Sequence, residues 1–117
     1  ENRGAGGIDT VNVEVFDSIA ESELEKLHRE LRSHSYFPMP VRRVQIPKRG
    51  KPKEMRPLGI PAIRDRVCQQ ALKNRLEPIF EPVFNDCSFG YRPGRSAHDV
   101  LRKIWRELTE GYHITPI

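Results

Sequence analysis

Apolar residues recur along this chain with two different periods, and the switch between them outlines its elements. Leu24, Leu27 and Leu31 fall three or four positions apart, the spacing that lines one face of a helix. A helix is expected over residues 18–34, capped by Ser18 with Glu21 in the capping-box position. Tyr36-Phe37-Pro38-Met39-Pro40 breaks it, because each proline biases the residue before it away from helical geometry. The period then changes to two. Val44 and Ile46 alternate with Arg43 and Gln45 in a strand over 41–46. Pro47 ends that strand, residues 48–53 form a turn, and residues 55–60 return as its antiparallel partner.

Helical spacing resumes after Pro61 with Ile63, Val67, Ala71, Leu72, Leu76, Ile79 and Phe80. Asp65 lies in the first turn, where a carboxylate complements the helix dipole, and Pro78 is expected to bend or end the segment. A turn-rich loop leads to Ser96, which caps a third helix with Asp99 at the capping-box position. Ala97, Val100, Leu101, Ile104, Trp105 and Leu108 form its apolar face, and Gly111 is a natural C-cap. The implied class is α+β, a cationic antiparallel β-hairpin packed with about three helices. Residues 1–17 read as an N-terminal extension loop ahead of a main unit over 18–117.

Charge sharpens this picture. The chain has 117 residues and a net charge of +4. Residues 1–31 hold eight acids against three bases, whereas residues 32–117 hold seventeen bases against eight acids. That asymmetry favours a polyanionic partner for the later part. A hydrophobic share of 37% is low for a self-sufficient core, which suits a piece that covers one face with another domain. Cys68 and Cys87 lack metal-ligand spacing, which argues against zinc and against a secreted disulfide framework; Cys68 is expected as a buried free thiol. With no long apolar run and no signal-peptide pattern, a soluble intracellular protein is expected.

The cations gather in two places. Between Arg42 and Arg56 there are seven bases and one acid. Arg42, Arg43, Arg49, Lys51 and Lys53, with Lys48 and Arg56, can neutralise several phosphates without reading sequence. Arg42 and Arg43 should point to opposite faces of the ribbon. The second place is Ser88-Phe89-Gly90-Tyr91-Arg92-Pro93-Gly94-Arg95-Ser96. Here Tyr91 could stack on a base, Arg92 and Arg95 could clamp phosphates, and Phe89 is expected in the core. Gly4, Gly6 and Gly7 permit close approach of backbone to a partner. Walker, HExxH and GxSxG patterns are absent. The four histidines are scattered, and no carboxylates are paired for two metal ions, so no catalytic centre is expected within the chain.

Taken in order, these segments resemble the N-terminal fingers region of group II intron-encoded reverse transcriptases, the maturase type of bacterial retroelement. Asn2-Arg3-Gly4-Ala5-Gly6-Gly7-Ile8-Asp9 is similar to that family's N-terminal extension loop. PVRRVQIPK with RPLGIPAIRDRVCQQAL is similar to its first core block, and LEPIFEPVFNDCSFGYRPGRSAHDVL to the start of its second. Retron, diversity-generating and CRISPR-associated reverse transcriptases share weaker versions of these blocks. The resemblance implies an RNA-directed DNA polymerase of right-hand shape, of which this is part of the fingers. Lys48 and Arg56 then stand where the incoming triphosphate is held, Arg42 where the template is contacted, and the loop at Gly4, Gly6 and Gly7 over the template or primer backbone. It implies RNA template or intron RNA, DNA primer and dNTP as partners, with palm and thumb domains elsewhere. It also implies Mg²⁺ in the full-length enzyme, a bacterial cytoplasmic location and a possible homodimer. A non-catalytic RNA-binding maturase module and a protein-interaction domain are the alternatives. After Gly111-Tyr112 the family pattern continues into a strand carrying a metal-binding aspartate, whereas this chain reads His113-Ile114-Thr115-Pro116-Ile117. The expectation is therefore that these residues alone do not polymerise.

Overall fold

The computed structural model describes residues 4–112; the final pentapeptide, 113–117, lies outside them. Among the described residues are helices α1 (Val13–Ser18), α2 (Ala20–Arg32), α3 (Ile63–Phe80) and α4 (Ala97–Thr109), strands β1 (Arg42–Lys48) and β2 (Lys51–Ile60), and a 3₁₀ turn at Glu81–Val83. The class is α+β, as the periodicities require. Two compact units divide the chain at 1–74 and 75–117.

In the first unit, the expected single helix over 18–34 is two helices. Asn12 caps α1, its Oδ1 accepting from the Val15 N–H at 2.9 Å. Ser18 already lies in the last turn of α1 and donates its hydroxyl to the Val15 carbonyl at 2.6 Å, so it cannot cap α2. Ile19 separates the helices, and α2 begins without a side-chain cap. α1 also falls inside the stretch expected to be loop. The leucine stripe of α2 is only partly used: Leu27 is buried, whereas Leu24 and Leu31 are exposed. α2 ends in a Schellman motif. His34 takes a left-handed φ of 56°, its N–H reaches the Leu31 carbonyl, and the Ser35 N–H reaches Glu30.

β1 and β2 pair antiparallel from Arg42 opposite Ile60 to Pro47 opposite Met55, with an irregularity before Lys48 meets Lys51. The turn is thus only Arg49-Gly50, shorter than expected, and Gly50 supplies the required positive φ of 79°. Pro47, Pro52 and Pro57 all lie within the two strands and carry no N–H. Burial concentrates where β2 runs into α3: Ala62 and Ile63 are buried, and so is the carboxylate of Asp65. Cys68 is a free thiol, but half-buried rather than fully enclosed.

In the second unit, α3 continues past Pro78 to Phe80, so that proline does not end it. Ser96 and Asp99 form the expected capping box at the start of α4. The Ser96 hydroxyl and amide hold the Asp99 carboxyl below its ordinary pKa. Gly111, at φ 93°, closes α4: its N–H reaches Leu108 and the Tyr112 N–H reaches Glu107. The apolar face of α4 is exposed, with Leu101 at 63% and Trp105 at 73%.

Candidate nucleic-acid interface

The pairing register decides which cations of the ribbon act together. Residues directly opposite one another share a face, and successive residues alternate between faces. Arg42, Val44 and Ile46 stand opposite Ile60, Leu58 and Arg56. Arg42 and Arg56 therefore share one face; the irregularity before Lys48 ends the regular register there, and Lys48 meets Lys51 at the tip. Arg43 and Gln45 take the other face, opposite Gly59 and Pro57. Arg42, Val44 and Ile46 are half-buried, whereas Arg43, Gln45 and Pro47 are exposed. The Nε of Arg42 is shielded from solvent without a hydrogen-bond partner. At the tip, Glu54 bridges two of the bases: Lys48 Nζ lies 2.8 Å from one carboxylate oxygen and Lys51 Nζ 3.4 Å from the other. Arg43, Arg49, Lys53 and Arg56 enter no ion pair with the described residues.

The glycine loop is held by the protein itself. A Cβ on Gly7 would stand 2.6 Å from the Ala62 Cα, and one on Gly6 would stand 2.7 Å from the Val11 carbonyl oxygen. Gly4 has a φ of 53° and is crowded by Val13. Close backbone approach is thus needed within the fold, independently of any ligand. The Thr10 N–H donates to the Gly7 carbonyl at 3.1 Å and closes the loop.

Three residues at the start of α3 organise the ribbon's base, and the pattern of apolar positions gave no sign of their roles. Asp65 accepts from the Tyr36 hydroxyl at 2.5 Å and from the Met39 N–H at 2.9 Å, so it pins the segment entering β1. Burial and the adjoining carboxylate push the Tyr36 phenol well above its ordinary pKa. Arg64 lies over the Tyr36 ring, 5.7 Å from its centroid, and pairs with Glu30. Arg66 donates from Nε to the Pro61 carbonyl at 3.2 Å and from Nη2 to the Ala5 carbonyl. An acidic residue in a first helical turn reads as a dipole partner, which hid the role of Asp65.

The loop preceding α4 corrects the reading of Arg92. Its side chain is only 8% exposed and pairs with Glu81 at 2.9 Å. It also donates to the carbonyls of Asn85 at 3.0 Å and Ser88 at 2.7 Å, and lies over the Phe84 ring. A turn-rich loop leaves carbonyls without ladder partners, and this guanidinium satisfies them. Arg92 is therefore a clamp within the loop and not a free phosphate ligand. Arg95 is partly committed as well, donating to the Asp86 carbonyl at 2.7 Å while stacking on a half-buried Phe89. Tyr91 is different: it is fully exposed, on a left-handed backbone with φ 56°. Among the described residues no group of three or more His, Cys, Asp or Glu could hold a metal ion, and no helix is long and apolar enough to cross a membrane.

Residues 46–117 match the family model described as reverse transcriptase (RNA-dependent DNA polymerase). The chain belongs to the reverse transcriptase family. Its resemblance to the group II intron-encoded branch holds as well. Over 105 residues it is 46% identical to protein YkfC of Escherichia coli, covering 89% of this chain and 27% of that protein. Over 107 residues it is 42% identical to the group II intron-encoded protein LtrA of Lactococcus lactis subsp. cremoris, covering 92% of this chain and 18% of that protein. A shorter match of 49 residues, 51% identical, joins it to nuclear intron maturase 2, mitochondrial, of Arabidopsis thaliana, over 42% of this chain and 6% of that protein. This reverse transcriptase chain thus spans little more than a quarter of YkfC and less than a fifth of LtrA.

Proposed function

We propose that this chain grips the RNA template and the incoming nucleotide as the fingers of a right-hand RNA-directed DNA polymerase of a group II intron, serving retrohoming and splicing. The observation that carries this reading is the register that gathers Arg42 and Arg56 on one face of the ribbon, with Lys48 beside them at the tip. Positive charge there lowers the repulsion met by an approaching triphosphate. Holding that anion beside a template strand converts encounter into alignment. Arg42, half-buried on that face, would contact the template. Arg43, Arg49, Lys51 and Lys53 would contact the strand backbone, and Tyr91 would offer a stacking face. The carboxylates that hold Mg²⁺, which stabilises charge on the transferring phosphate, would belong to a palm outside the described residues.

The test is kinetic. In the intact protein, Lys48→Ala and Arg56→Ala should each raise KM for dNTP about tenfold, the scale expected for loss of one charge-assisted contact. Affinity for primed RNA should change far less. Equal losses in both would contradict the assignment. The similarity to intron maturases favours a second reading, an RNA-binding module that aids intron folding without polymerising. Primer extension by the intact protein separates the two.

A further inference from the structure

We propose that Arg66 is a positioning residue that seats the glycine loop, residues 4–10, against the exit of the hairpin, so that loop and ribbon offer one continuous surface to a nucleic-acid backbone. The inference rests on the nucleic-acid-gripping role proposed above. Its physical basis is a pair of adjacent side chains reaching opposite ways. Asp65 holds the strand entering the ribbon through Tyr36 and Met39. Arg66 holds the strand leaving it, through the Pro61 carbonyl, and with another nitrogen takes the Ala5 carbonyl of the loop. Gly7 then lies directly on the backbone of Ala62, a residue with no exposed surface, and a Cβ there would meet Ala62 at 2.6 Å. Beyond that contact the loop is fastened mainly to itself, by Thr10 to Gly7 and by Val11 to the Asp9 carboxylate at 3.2 Å. The two carbonyls belong to segments far apart in sequence. A guanidinium presents separate donors at Nε and Nη2 and can hold both, whereas the single nitrogen of lysine cannot reproduce that fork.

Arg66→Lys is therefore the informative change, because it keeps the charge and removes the fork. Gly7→Ala attacks the same seat independently. Hydrogen–deuterium exchange on the intact protein, paired with titration of a labelled single-stranded RNA at fixed salt, reads both consequences. Amides of residues 5–11 should exchange about tenfold faster in each variant, while those of β1 and β2 keep their protection. RNA affinity should fall about three- to tenfold, and the double variant should bind no worse than the weaker single one, as expected of two changes to one coupled contact. Unchanged exchange at 5–11 in Arg66→Lys overturns the anchoring. Faster exchange with unchanged RNA affinity overturns the loop's share in the grip. In that case Arg49→Ala combined with Lys53→Ala reports on the ribbon alone. If this pair also leaves RNA affinity intact, the functional reading itself fails.

Discussion

Arg42 and Arg56 on the ribbon read much like Arg92 and Arg95 in the loop before α4, yet the fold uses the two pairs oppositely. The ribbon satisfies its own backbone through the strand ladder, and Arg43, Arg49, Lys53 and Arg56 enter no ion pair with the described residues. The loop has no ladder. Arg92 turns inward to Glu81 and to two carbonyls, and Arg95 caps Asp86. Whether an arginine is available to a phosphate is therefore set by how many backbone carbonyls nearby lack another donor, and not by the local density of positive charge.

Breaking the inward arm should have the largest effect. Arg92→Ala strands the carboxylate of Glu81 and leaves carbonyls unsatisfied, so it should cost about 3 kcal/mol of unfolding free energy in a urea titration. A normal unfolding midpoint with weakened RNA binding would reverse the roles assigned to the two segments. On the ribbon, the combined Arg43→Ala and Lys53→Ala change should leave stability within about 0.5 kcal/mol of the parent. It should lower the slope of log affinity against log salt by about 1 to 2, one contact per lost charge.

Tyr36 sharpens the contrast, because it is a polar group spent on placing the ribbon rather than on a ligand. Tyr36→Phe should cost about 1 kcal/mol. The folded phenol resists ionisation, whereas the unfolded one titrates near about 10. Its contribution is therefore complete below about pH 10 and declines as pH rises beyond it, and Tyr36→Phe should remove that part of the alkaline destabilisation. The smallest effect is expected at Glu54, a half-exposed partner of Lys48 and Lys51. Glu54→Gln should tighten RNA binding about twofold and leave stability nearly unchanged, as exposed ion pairs contribute little.

Much of this was legible in the residue pattern, for identifiable reasons. Alternation at Val44 and Ile46 found the ribbon, and the local chemistry of Ser96, Asp99 and Gly111 found both ends of α4. These signals are short-range. Ser18 misled because a residue suited to capping a helix sat in the last turn of another one. The part played by Arg92 depends on Glu81, eleven positions earlier, and that of Arg66 on Ala5, sixty-one positions earlier. Such pairings arise only when the chain folds back on itself, so no spacing rule announces them. The face shared by Arg42 and Arg56 lies between these cases, since alternation gives each strand's faces but only the pairing register joins them.

The prolines in the ribbon carry one more consequence. A lone pair of strands offers two unpaired edges, an invitation to fibril growth when molecules crowd together. Pro47, Pro52 and Pro57 interrupt the donors an intruding strand would need. The ribbon can thus keep its cations exposed while refusing to zip onto its own kind.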